Sequence, residues 1–511
     1  MDKRKKDWFR IKNYPHIGLP IRYKDKKWVT KYITNPNNIS THAFLPFIHK
    51  KVIKRKYRRS IDQDGTSSKL RQATKKVREL YYSNHLDSNI YSYYAFILSK
   101  KYEEILKKRN LEDVVTAYRR IPVYFKNEHS RNKCNIDFAN EVFDFIRKNH
   151  EKYLVAISFD IKSFFDNLDH KIIKKAWCSV LGVNTLDDAH YNVYKNITKF
   201  SYIEEYELFH EFKNEIIVET KSGKQKRRKV DKIKYLRNQS AIAFCKKNEF
   251  KQRISKKGYI KKNKYIIDSG EIRIRDKGIP QGSPISSILA NIYLLDFDTK
   301  INNCVKKNNG LYRRYSDDMV VICNTDLKES IIYLLKKELS KLGLKIQDSK
   351  TQIFHFKRSK GKYSCYFESQ NGNLVQNRNF EYLGFQFDGY FTLLKSSSLA
   401  KFYRKMKRTL SRSTYYAKFT KNGKLKGELF RTRLYKKFSY LGAKRRMKYV
   451  KDKSDPSKWI KTYKYDWGNF LTYAYFAARI MDNNKIKHQV KNHWKILNKL
   501  IREKEKYLKK L

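Results

Sequence analysis

The stretch LYRRYSDDMVVIC, residues 311 to 323, sets two aspartates, Asp317 and Asp318, directly before a run of Met, Val, Val and Ile. Apolar residues on both sides of a short polar turn are typical of a buried β-hairpin. Two unit charges about 4 Å apart at an effective dielectric near 20 repel by roughly 4 kcal/mol. We therefore expect this acidic pair to be stable mainly where cations neutralise it.

A third carboxylate follows another buried strand. EKYLVAISFDI, residues 151 to 161, has contiguous apolar residues and reaches Asp160 near its end, as a strand covered on both faces does. This strand is the first of five predicted elements, in the order strand, helix, hairpin, helix and strand. The order predicts an α/β layer in which Asp160 and the pair Asp317 and Asp318 meet at one edge. Mg²⁺ suits such a site because it takes hard oxygen ligands from one or two carboxylates and needs no His or Cys.

The rest of the chain is strongly basic. Its 511 residues include 115 Lys and Arg against 50 Asp and Glu, a formal charge of +65, together with 39 Tyr and 30 Phe. So many cations repel one another unless a polyanion neutralises them, and nucleic acid is the expected partner. The alternative for part of the excess is an AT-rich genome, which prefers Lys codons.

The cysteines and the first residues of the chain favour a cytoplasmic location. The six cysteines are scattered, without zinc spacing, and are expected to be reduced and buried. The first residues lack the apolar stretch of a signal peptide, and no run approaches the length that spans a bilayer. We expect a cytoplasmic protein that does not bind a membrane.

Hydrophobic periodicity gives a coarse order of elements. Helical spacing dominates from about residue 68 to 108, and NIDFANEVFDFIRKN, residues 135 to 149, predicts a second helix. Residues 185 to 277 form a long basic stretch, which either consists of solvated loops and hairpins or forms the wall of a nucleic-acid channel. Beyond residue 395 the pattern is basic, aromatic and mostly helical.

Five motifs occur in order along the chain: FDIKSFFDNLDH, GIPQGSPIS, YRRYSDD, LGLKIQDSKTQIF and FEYLGFQFDG. Together they resemble the successive palm motifs of reverse transcriptases, over about residues 110 to 395. The resemblance implies an α/β right-hand polymerase fold, with the fingers and palm of a reverse transcriptase and a mainly α-helical basic C-terminal region. It implies a basic N-terminal extension at 1–67, mainly helical fingers at 68–150, a palm at 151–395 interrupted by the basic stretch, and a thumb-like or nucleic-acid-binding region at 396–511.

The resemblance also implies the catalytic residues. In that family the first-strand Asp and the first hairpin Asp bind the metals, which corresponds to Asp160 and Asp317, with Asp318 completing the acidic site. The backbone carbonyl of Ile161 would be a further metal ligand. The implied cofactor is a pair of Mg²⁺ ions, for which Mn²⁺ is a substitute.

Further residues match positions that contact the nucleotide. Phe165 stands at the steric-gate position, where a ring blocks the ribose 2′-hydroxyl, although it is alternatively a core aromatic like Phe164. Gln281 resembles the residue that touches the incoming sugar, and Gly282 would let the backbone approach the nucleotide. Lys350 matches a Lys near the pyrophosphate, or else belongs to a solvated face.

Two peripheral segments complete the predicted site. Arg119 and Arg120 resemble the basic residues of the fingers that clasp the triphosphate. That segment is less specific than the five motifs. Residues 380 to 384, FEYLG, which include Tyr382, Leu383 and Gly384, look like the hairpin that grips the primer.

The combination of AYRR, NIDFANEVFDFI and GIPQGSPISSILANIYLLDFD looks most like the bacterial abortive-infection and unknown-group reverse transcriptases, which are associated with phage defence. This implies synthesis of DNA from dNTPs, on a non-coding RNA template or from a protein hydroxyl, by a homo-oligomer. The sequence does not single out the template, the priming residue or the infection trigger.

Two alternatives stay open. A reverse transcriptase similar to group II intron maturases would mainly bind and fold intron RNA, and an intron flanking the gene would favour it. A non-catalytic nucleic-acid scaffold is the other, although all three acidic positions are intact.

Overall fold

A computed structural model describes residues 8–61, 67–125, 128–220, 222–262, 264–266, 272–359, 361–376, 378–419, 427–452, 454–455 and 457–510. The chain divides into two compact units. The first comprises Met1–Arg119, Phe159–Val320 and Glu329–Thr351; the second comprises Arg120–Ser158, Val321–Lys328 and Gln352–Leu511.

The α-helices of the described residues are α1 Lys26–Ile33, α2 Pro36–Ser40, α3 His85–Lys108, α4 Asn135–Lys148, α5 His170–Leu181, α6 Asp188–Thr198, α7 Glu205–Phe212, α8 Ser286–Tyr293, α9 Leu295–Lys307, α10 Lys328–Lys341, α11 Ser396–Phe419, α12 Arg431–Phe438, α13 Phe470–Ile480, α14 Asn484–Val490 and α15 His493–Lys509. Within the described ranges, none of these helices combines the length and apolar character that crossing a membrane requires. The six cysteines are thiols; four are buried and two are partly buried.

The strands are β1 His16–Ile17, β2 Phe47–Ile61, β3 Ser67–Tyr82, β4 Pro122–Phe125, β5 Glu128–Asn132, β6 Leu154–Asp160, β7 Ser201–Glu204, β8 Ile216–Glu219, β9 Gln225–Arg228, β10 Ala241–Cys245, β11 Lys261–Lys262, β12 Lys264–Ile266, β13 Ile272–Ile274, β14 Leu311–Tyr315, β15 Asp318–Asn324, β16 Gln352–Ser359, β17 Lys362–Glu368, β18 Leu374–Val375, β19 Phe380–Tyr382, β20 Phe385–Phe387, β21 Thr392–Leu394, β22 Arg446–Lys451 and β23 Trp459–Asp466.

In the first unit, the N-terminal segment and the basic stretch at 185–277 fold together. One sheet has the order β1-β10-β8-β9 and another the order β11-β7-β2-β3, so strands of the N-terminal segment pair with strands from the basic stretch. A shared core includes Ile17, Ile48, Leu208 and Phe244. The basic stretch is therefore a folded layer, and solvated loops account for only part of it.

A long antiparallel ribbon replaces part of the predicted helix at 68–108. Strand β3 occupies Ser67–Tyr82 and pairs with β2 from Ile48↔Tyr82 to Ile61↔Ser67, and only from His85 is the chain helical. The helical prediction is therefore wrong for the first part of this range. The cross-strand partner lies outside the segment, so local spacing did not indicate the pairing.

The carboxylate-bearing elements follow the predicted order. In the first unit β14 pairs with β15, and β15 is the neighbour of β6 in the strand order. Strand β6 ends at Asp160, as predicted, and helix α8 buries nearly all of its residues. Helix α10 ends just before Gly343, whose positive φ of +65° suits a glycine that terminates a helix.

In the second unit, strands β6, β16, β17 and β18 pair in that order, with Gln352 opposite Ser158 and Phe356 opposite Leu154. A second sheet has the order β19-β20-β21. Helix α4 confirms the prediction for residues 135 to 149. After residue 395 the chain is mainly helical, as predicted, apart from the unpredicted hairpin of β22 and β23.

Candidate active site

Two carboxylates that are distant in sequence meet in the first unit. Asp160 is the last residue of β6, and Asp317 lies in the two-residue turn between β14 and β15. Burial, and after it the negative charge of Asp160, raises the pKa of Asp317 above its usual range. The two side chains are therefore close enough to repel each other. The sequence predicted that Asp160 meets the hairpin pair, and it placed the repulsion between Asp317 and Asp318.

The Asp160 carboxylate has the features of a cation ligand. Its Oδ2 forms an ion pair with Lys350 Nζ, whereas its Oδ1 is buried and has no hydrogen-bond partner among the described residues. A buried, unsatisfied carboxylate oxygen is costly. A hard divalent cation between Asp160 and Asp317 would satisfy this oxygen and offset the repulsion.

Asp160 and Asp317 are a ligand set of two carboxylates. Over the described ranges, no group of three or more His, Cys, Asp or Glu side chains is arranged to hold a metal ion. Mg²⁺ is commonly bound by one or two carboxylates, and substrate phosphates and water complete its shell. The pair fits an ion that is completed by its substrate.

Asp318 differs from its neighbour. It begins β15, and its side chain is exposed, whereas Asp317 is partly buried and lines the cleft described below. The structure thus brings Asp160 and Asp317 together, and the predicted role of Asp318 in the acidic site stays a prediction.

A buried ion pair supports the turn that carries Asp317. Arg314 and Asp298 are fully buried; the guanidinium donates to the carboxylate, with Nη2 to Oδ2 at 2.6 Å and Nε to Oδ1 at 2.8 Å. Tyr312 also donates to Asp298, at 2.8 Å. Arg314 Nη1 donates to the carbonyl of Ser316 at 3.3 Å, and Ser316 has a positive φ of +63°. These contacts fix the backbone next to Asp317.

The carboxylates line an open cleft of about 1170 Å³ in the first unit. Basic side chains are prominent along it: Lys75, Lys76, Arg78, Lys162, Arg275, Lys277 and Lys350. The sequence prediction named only the last of these. Three of the others come from β3, and their contribution was missed because that segment was assigned to a helix.

Phe164 and Phe165 have different environments. Phe164 is 3% exposed and belongs to the core, whereas Phe165 is partly exposed and lines the cleft. The backbone carbonyl of Phe165 accepts a hydrogen bond from the amide of Ile279 at 3.0 Å. The ring is therefore carried on a fixed backbone, in a position that fits the predicted gate.

The PQG turn lies against β3. Gln281 lines the cleft, and its carbonyl accepts a hydrogen bond from the Tyr81 amide at 2.9 Å. Gly282 has a φ of +126°, and a Cβ on it would lie 2.6 Å from the Tyr81 carbonyl oxygen. The close approach that the structure gives to Gly282 is thus to the β3 backbone, where the sequence predicted an approach to a nucleotide.

Arg119 of the predicted triphosphate clasp is held by partners within the first unit. It donates to both oxygens of Glu103, at 2.9 and 2.7 Å, and to the carbonyls of Glu112 and Val115, both at 2.5 Å. These bonds occupy its guanidinium, so the cleft cations given above are the alternative source of positive charge in this unit. Arg120 is exposed and belongs to the second unit, and its contact with a triphosphate stays a prediction.

Lys350 reaches the site through a short backbone pairing. The amide of Gln347 donates to the carbonyl of Asp160 at 2.8 Å, and the amide of Lys162 donates to the carbonyl of Lys345 at 3.0 Å. Ile161 bridges to Ile346 between these bonds. The following 3-10 turn brings the Lys350 ammonium to Asp160, so this residue faces the site and is not on a remote solvated surface.

The predicted primer-grip residues form a tight hairpin in the second unit. Tyr382 pairs with Phe385 across the turn between β19 and β20. Leu383 and Gly384 have φ values of +45° and +94°, as both central residues of a type I′ turn require. The hairpin is confirmed as a structure; its contact with a primer stays a prediction.

Comparison with known protein families identifies this region. Residues 239–387 match the model of the family described as "Reverse transcriptase (RNA-dependent DNA polymerase)". The matched range includes Gln281, Asp317, Lys350 and the hairpin of β19 and β20, and Asp160 lies before it. The chain thus contains a reverse transcriptase domain, the domain of RNA-directed DNA polymerases, and the predicted fold class is confirmed.

Similar solved structures include three yeast telomerases, each with 13% sequence identity. Apo telomerase from Candida tropicalis truncated from the C-terminal domain has a TM-score of 0.36 and covers 72% of this chain and 59% of its own. Apo telomerase from Candida tropicalis has a TM-score of 0.35, and the match covers 80% of this chain and 59% of the telomerase chain. Telomerase from Candida albicans in complex with a TWJ fragment of telomeric RNA also has a TM-score of 0.35, and the match covers 79% of this chain and 58% of the telomerase chain. This chain thus spans less than two thirds of their length, and scores this low support no further conclusion.

Proposed function

We propose that this protein, which carries the domain of an RNA-directed DNA polymerase, synthesises DNA from deoxynucleoside triphosphates on an RNA template. The observation that carries the proposal is the meeting of Asp160 and Asp317 in one basic cleft that Phe165 and Gln281 also line. Phosphoryl transfer depends on positioning of the reacting groups and on neutralisation of the phosphate charge more than on covalent chemistry. The cleft has side chains for both tasks, since carboxylates that would hold metal ions and basic groups that would pair with phosphates line it.

Asp160 and Asp317 would hold two Mg²⁺ ions, assisted by the backbone carbonyl of Ile161, and Mn²⁺ would be a substitute. When bound, such ions lower the pKa of the attacking 3′-hydroxyl and neutralise the departing pyrophosphate. Lys350, which is paired with Asp160, would turn to the triphosphate when a metal takes its place at the carboxylate.

The remaining cleft residues would bind and select the nucleotide. Lys75, Lys76 and Arg78 on β3 would pair with triphosphate oxygens, because guanidinium and ammonium groups are the usual partners of phosphate. The Phe165 ring would exclude a 2′-hydroxyl, and Gln281 would contact the sugar. In this arrangement the chain selects dNTPs by shape and binds them by charge.

Primer extension tests the proposed activity. The full chain is incubated with Mg²⁺, labelled dNTPs and a DNA primer on an RNA template, and the nucleic acid that co-purifies with the protein is tested as a template in parallel. We expect wild-type protein and the Asp326→Ala control to incorporate label, since Asp326 is exposed, and Asp317→Ala to incorporate none. Undiminished incorporation by Asp317→Ala would overturn the proposal.

The subclass rests on the motif resemblance alone. From it we propose a cytoplasmic bacterial enzyme that acts in phage defence, assembles as a homo-oligomer and copies a structured non-coding RNA or starts on a protein hydroxyl. Protection of cells from phage by the wild-type gene but not by its Asp317→Ala variant, together with sequencing of the co-purified RNA and DNA, tests this part. An intron flanking the gene, with splicing that depends on the protein, would favour the maturase-like alternative.

A further inference from the structure

The hairpin of β22 and β23, in the second unit, exposes large apolar side chains to water. Tyr449 is 52% exposed, Val450 51%, Trp459 61% and Ile460 47%. The two strands form a separate two-stranded sheet, and such ribbons are marginally stable without a further layer. Exposed apolar surface of this kind commonly marks a binding surface.

One face of the hairpin alternates rings with ammonium groups. Tyr449 lies opposite Lys461, and Lys451 lies opposite Trp459. Directly opposite residues share a face, as do residues two apart in one strand, so these four side chains lie together with the rings on one diagonal and the lysines on the other. Lys451 Nζ is 5.9 Å from the Trp459 ring centroid. Val450 and Ile460 lie on the opposite face.

The charge of this segment favours an anionic partner. Residues 444–467 contain nine Lys and Arg against three Asp. Aromatic rings interleaved with cations are what single-stranded nucleic acid requires, because bases stack on the rings and phosphates pair with the cations. A duplex offers phosphates but keeps its bases stacked within the helix.

The base of the hairpin is fixed to its surroundings. The Arg445 guanidinium lies 4.1 Å from the ring centroids of both Tyr465 and Trp467. Lys436 Nζ pairs with Asp466 at 2.7 Å. The base of the hairpin is thus packed by its own cation–ring contacts and linked to α12 through Lys436.

We propose that the face formed by Tyr449, Lys451, Trp459 and Lys461 is a stacking platform for single-stranded RNA. Two bases would stack on Tyr449 and Trp459, while Lys451 and Lys461 each pair with a phosphate of the same strand. The identification of this strand as RNA that the enzyme copies rests on the proposed function. The stacking itself does not.

Removal of the rings tests the platform. Binding of a short, fluorescein-labelled, unstructured RNA to the full chain is measured by fluorescence anisotropy, without dNTPs, for Tyr449→Ala and Trp459→Ala. Each change is expected to weaken binding about 5- to 150-fold, the range associated with stacking of one base, while Tyr449→Phe and Trp459→Phe retain most of it. Tyr333→Ala is the matched control, since Tyr333 is 67% exposed with Lys337 5.8 Å over its ring.

Removal of the lysines gives a different signature. Lys451→Gln and Lys461→Gln are each expected to reduce the slope of log affinity against log salt by about 0.7. The ring variants are expected to leave that slope unchanged. Bromouridine-substituted RNA is expected to crosslink to the peptides that contain Tyr449 or Trp459.

Three results would overturn the platform. The first is wild-type RNA affinity in both ring variants. The second is an equal loss for the RNA strand and for the same RNA annealed to its complement, which would indicate contacts to the phosphate backbone alone. The third is a change in sedimentation of the ring variants with unchanged RNA affinity, which would assign this face to a second copy of the chain. Normal platform binding without any DNA synthesis would instead contradict the proposed function.

Discussion

Phe164 and Phe165 show how much depends on a single position. The two rings are neighbours, with centroids 5.5 Å apart, yet one is in the core and the other borders the cleft. The sequence predicted that Phe164 is a core aromatic, and its burial agrees; that Phe165 contacts a nucleotide stays a prediction. The spacing of the two rings from Asp160 is fixed by one strand end and one 3-10 turn.

Phe165→Val is expected to admit ribonucleotides. The smaller side chain no longer occupies the space of a 2′-hydroxyl, and we expect discrimination between dNTP and rNTP to fall by at least the range that one methylene group in a pocket gives, about 10- to 200-fold. The ratio of kcat/KM for the two substrates is the measurement. Phe164→Leu is the control, for which we expect reduced stability and unchanged discrimination between the two substrates. Equal kcat/KM ratios for wild type and Phe165→Val would contradict the role of Phe165 as a steric gate.

Asp317→Asn is expected to be more stable than the wild type at neutral pH. Burial and Asp160 raise the folded-state pKa of Asp317, so its ionised form costs stability above that pKa, and the cost disappears below the ordinary Asp value of about 3.9. Urea unfolding from neutral to acidic pH should show the difference shrink as the pH falls. A variant less stable than wild type at pH 7 would contradict this assignment.

The sequence around Arg119 and Arg120 did not indicate the ion-pair partner of Arg119. Two adjacent arginines before a palm motif resemble a phosphate clasp, but the partner of Arg119 is Glu103 on α3. Nothing in the local pattern indicates that α3 places this carboxylate beside it. Ion-pair partners come from tertiary packing, which a single sequence does not display.

An ion pair and hydrogen bonds between α9 and β14 support the hairpin of β14 and β15. Asp298 on α9 receives Arg314 and Tyr312 of β14, and the same arginine donates to the turn at Ser316. The network therefore links the helix to the backbone that carries Asp317.

Asp298→Asn is expected to destabilise the protein by about 3 to 5 kcal/mol, because it leaves the Arg314 charge buried without its partner. Denaturant unfolding measures the loss. The double variant Asp298→Leu with Arg314→Met should recover most of it, since no buried charge remains. A single variant within experimental error of wild type would show that the pair is not needed.

Gly282→Ala tests the packing of the PQG turn on β3. The added Cβ would meet the Tyr81 carbonyl, and the φ of +126° is strained for alanine, so we expect a loss of about 1 to 3 kcal/mol. Gly223→Ala is the matched control, because Gly223 has a φ of +81° with nothing within 4 Å of an added Cβ. Equal losses of stability in the two variants would show that backbone strain alone accounts for the effect, and would contradict a contribution from the contact between residue 282 and the Tyr81 carbonyl.

Elements with strong local patterns were predictable and elements made by distant pairing were not. Strand β6 and helices α4 and α10 follow from apolar runs or spacing. The pairing of β2 with β7 and of β1 with β10 joins segments far apart in sequence. The strands β22 and β23 carry lysines and arginines between their apolar residues, so neither helical nor strand periodicity indicated this hairpin.

For the whole molecule, the formal charge of +65 predicts strongly salt-dependent binding. Neutralising six to ten phosphates would release enough condensed cations to lower affinity for nucleic acid by about 10³- to 10⁵-fold between 50 and 200 mM salt. Anisotropy titrations of RNA at several salt concentrations measure this slope. A shallow slope would assign the excess of lysine to genome composition.

In the proposed function, Asp160 and Asp317 together hold the divalent ion at which DNA is made. A Mn²⁺ titration followed by electron paramagnetic resonance tests this directly, on the full chain and on Asp160→Asn, Asp317→Asn and the exposed control Asp326→Asn. We expect wild type and control to bind Mn²⁺ alike and each of the other two variants to lose this binding. Equal Mn²⁺ affinity in all four proteins would contradict this proposed role.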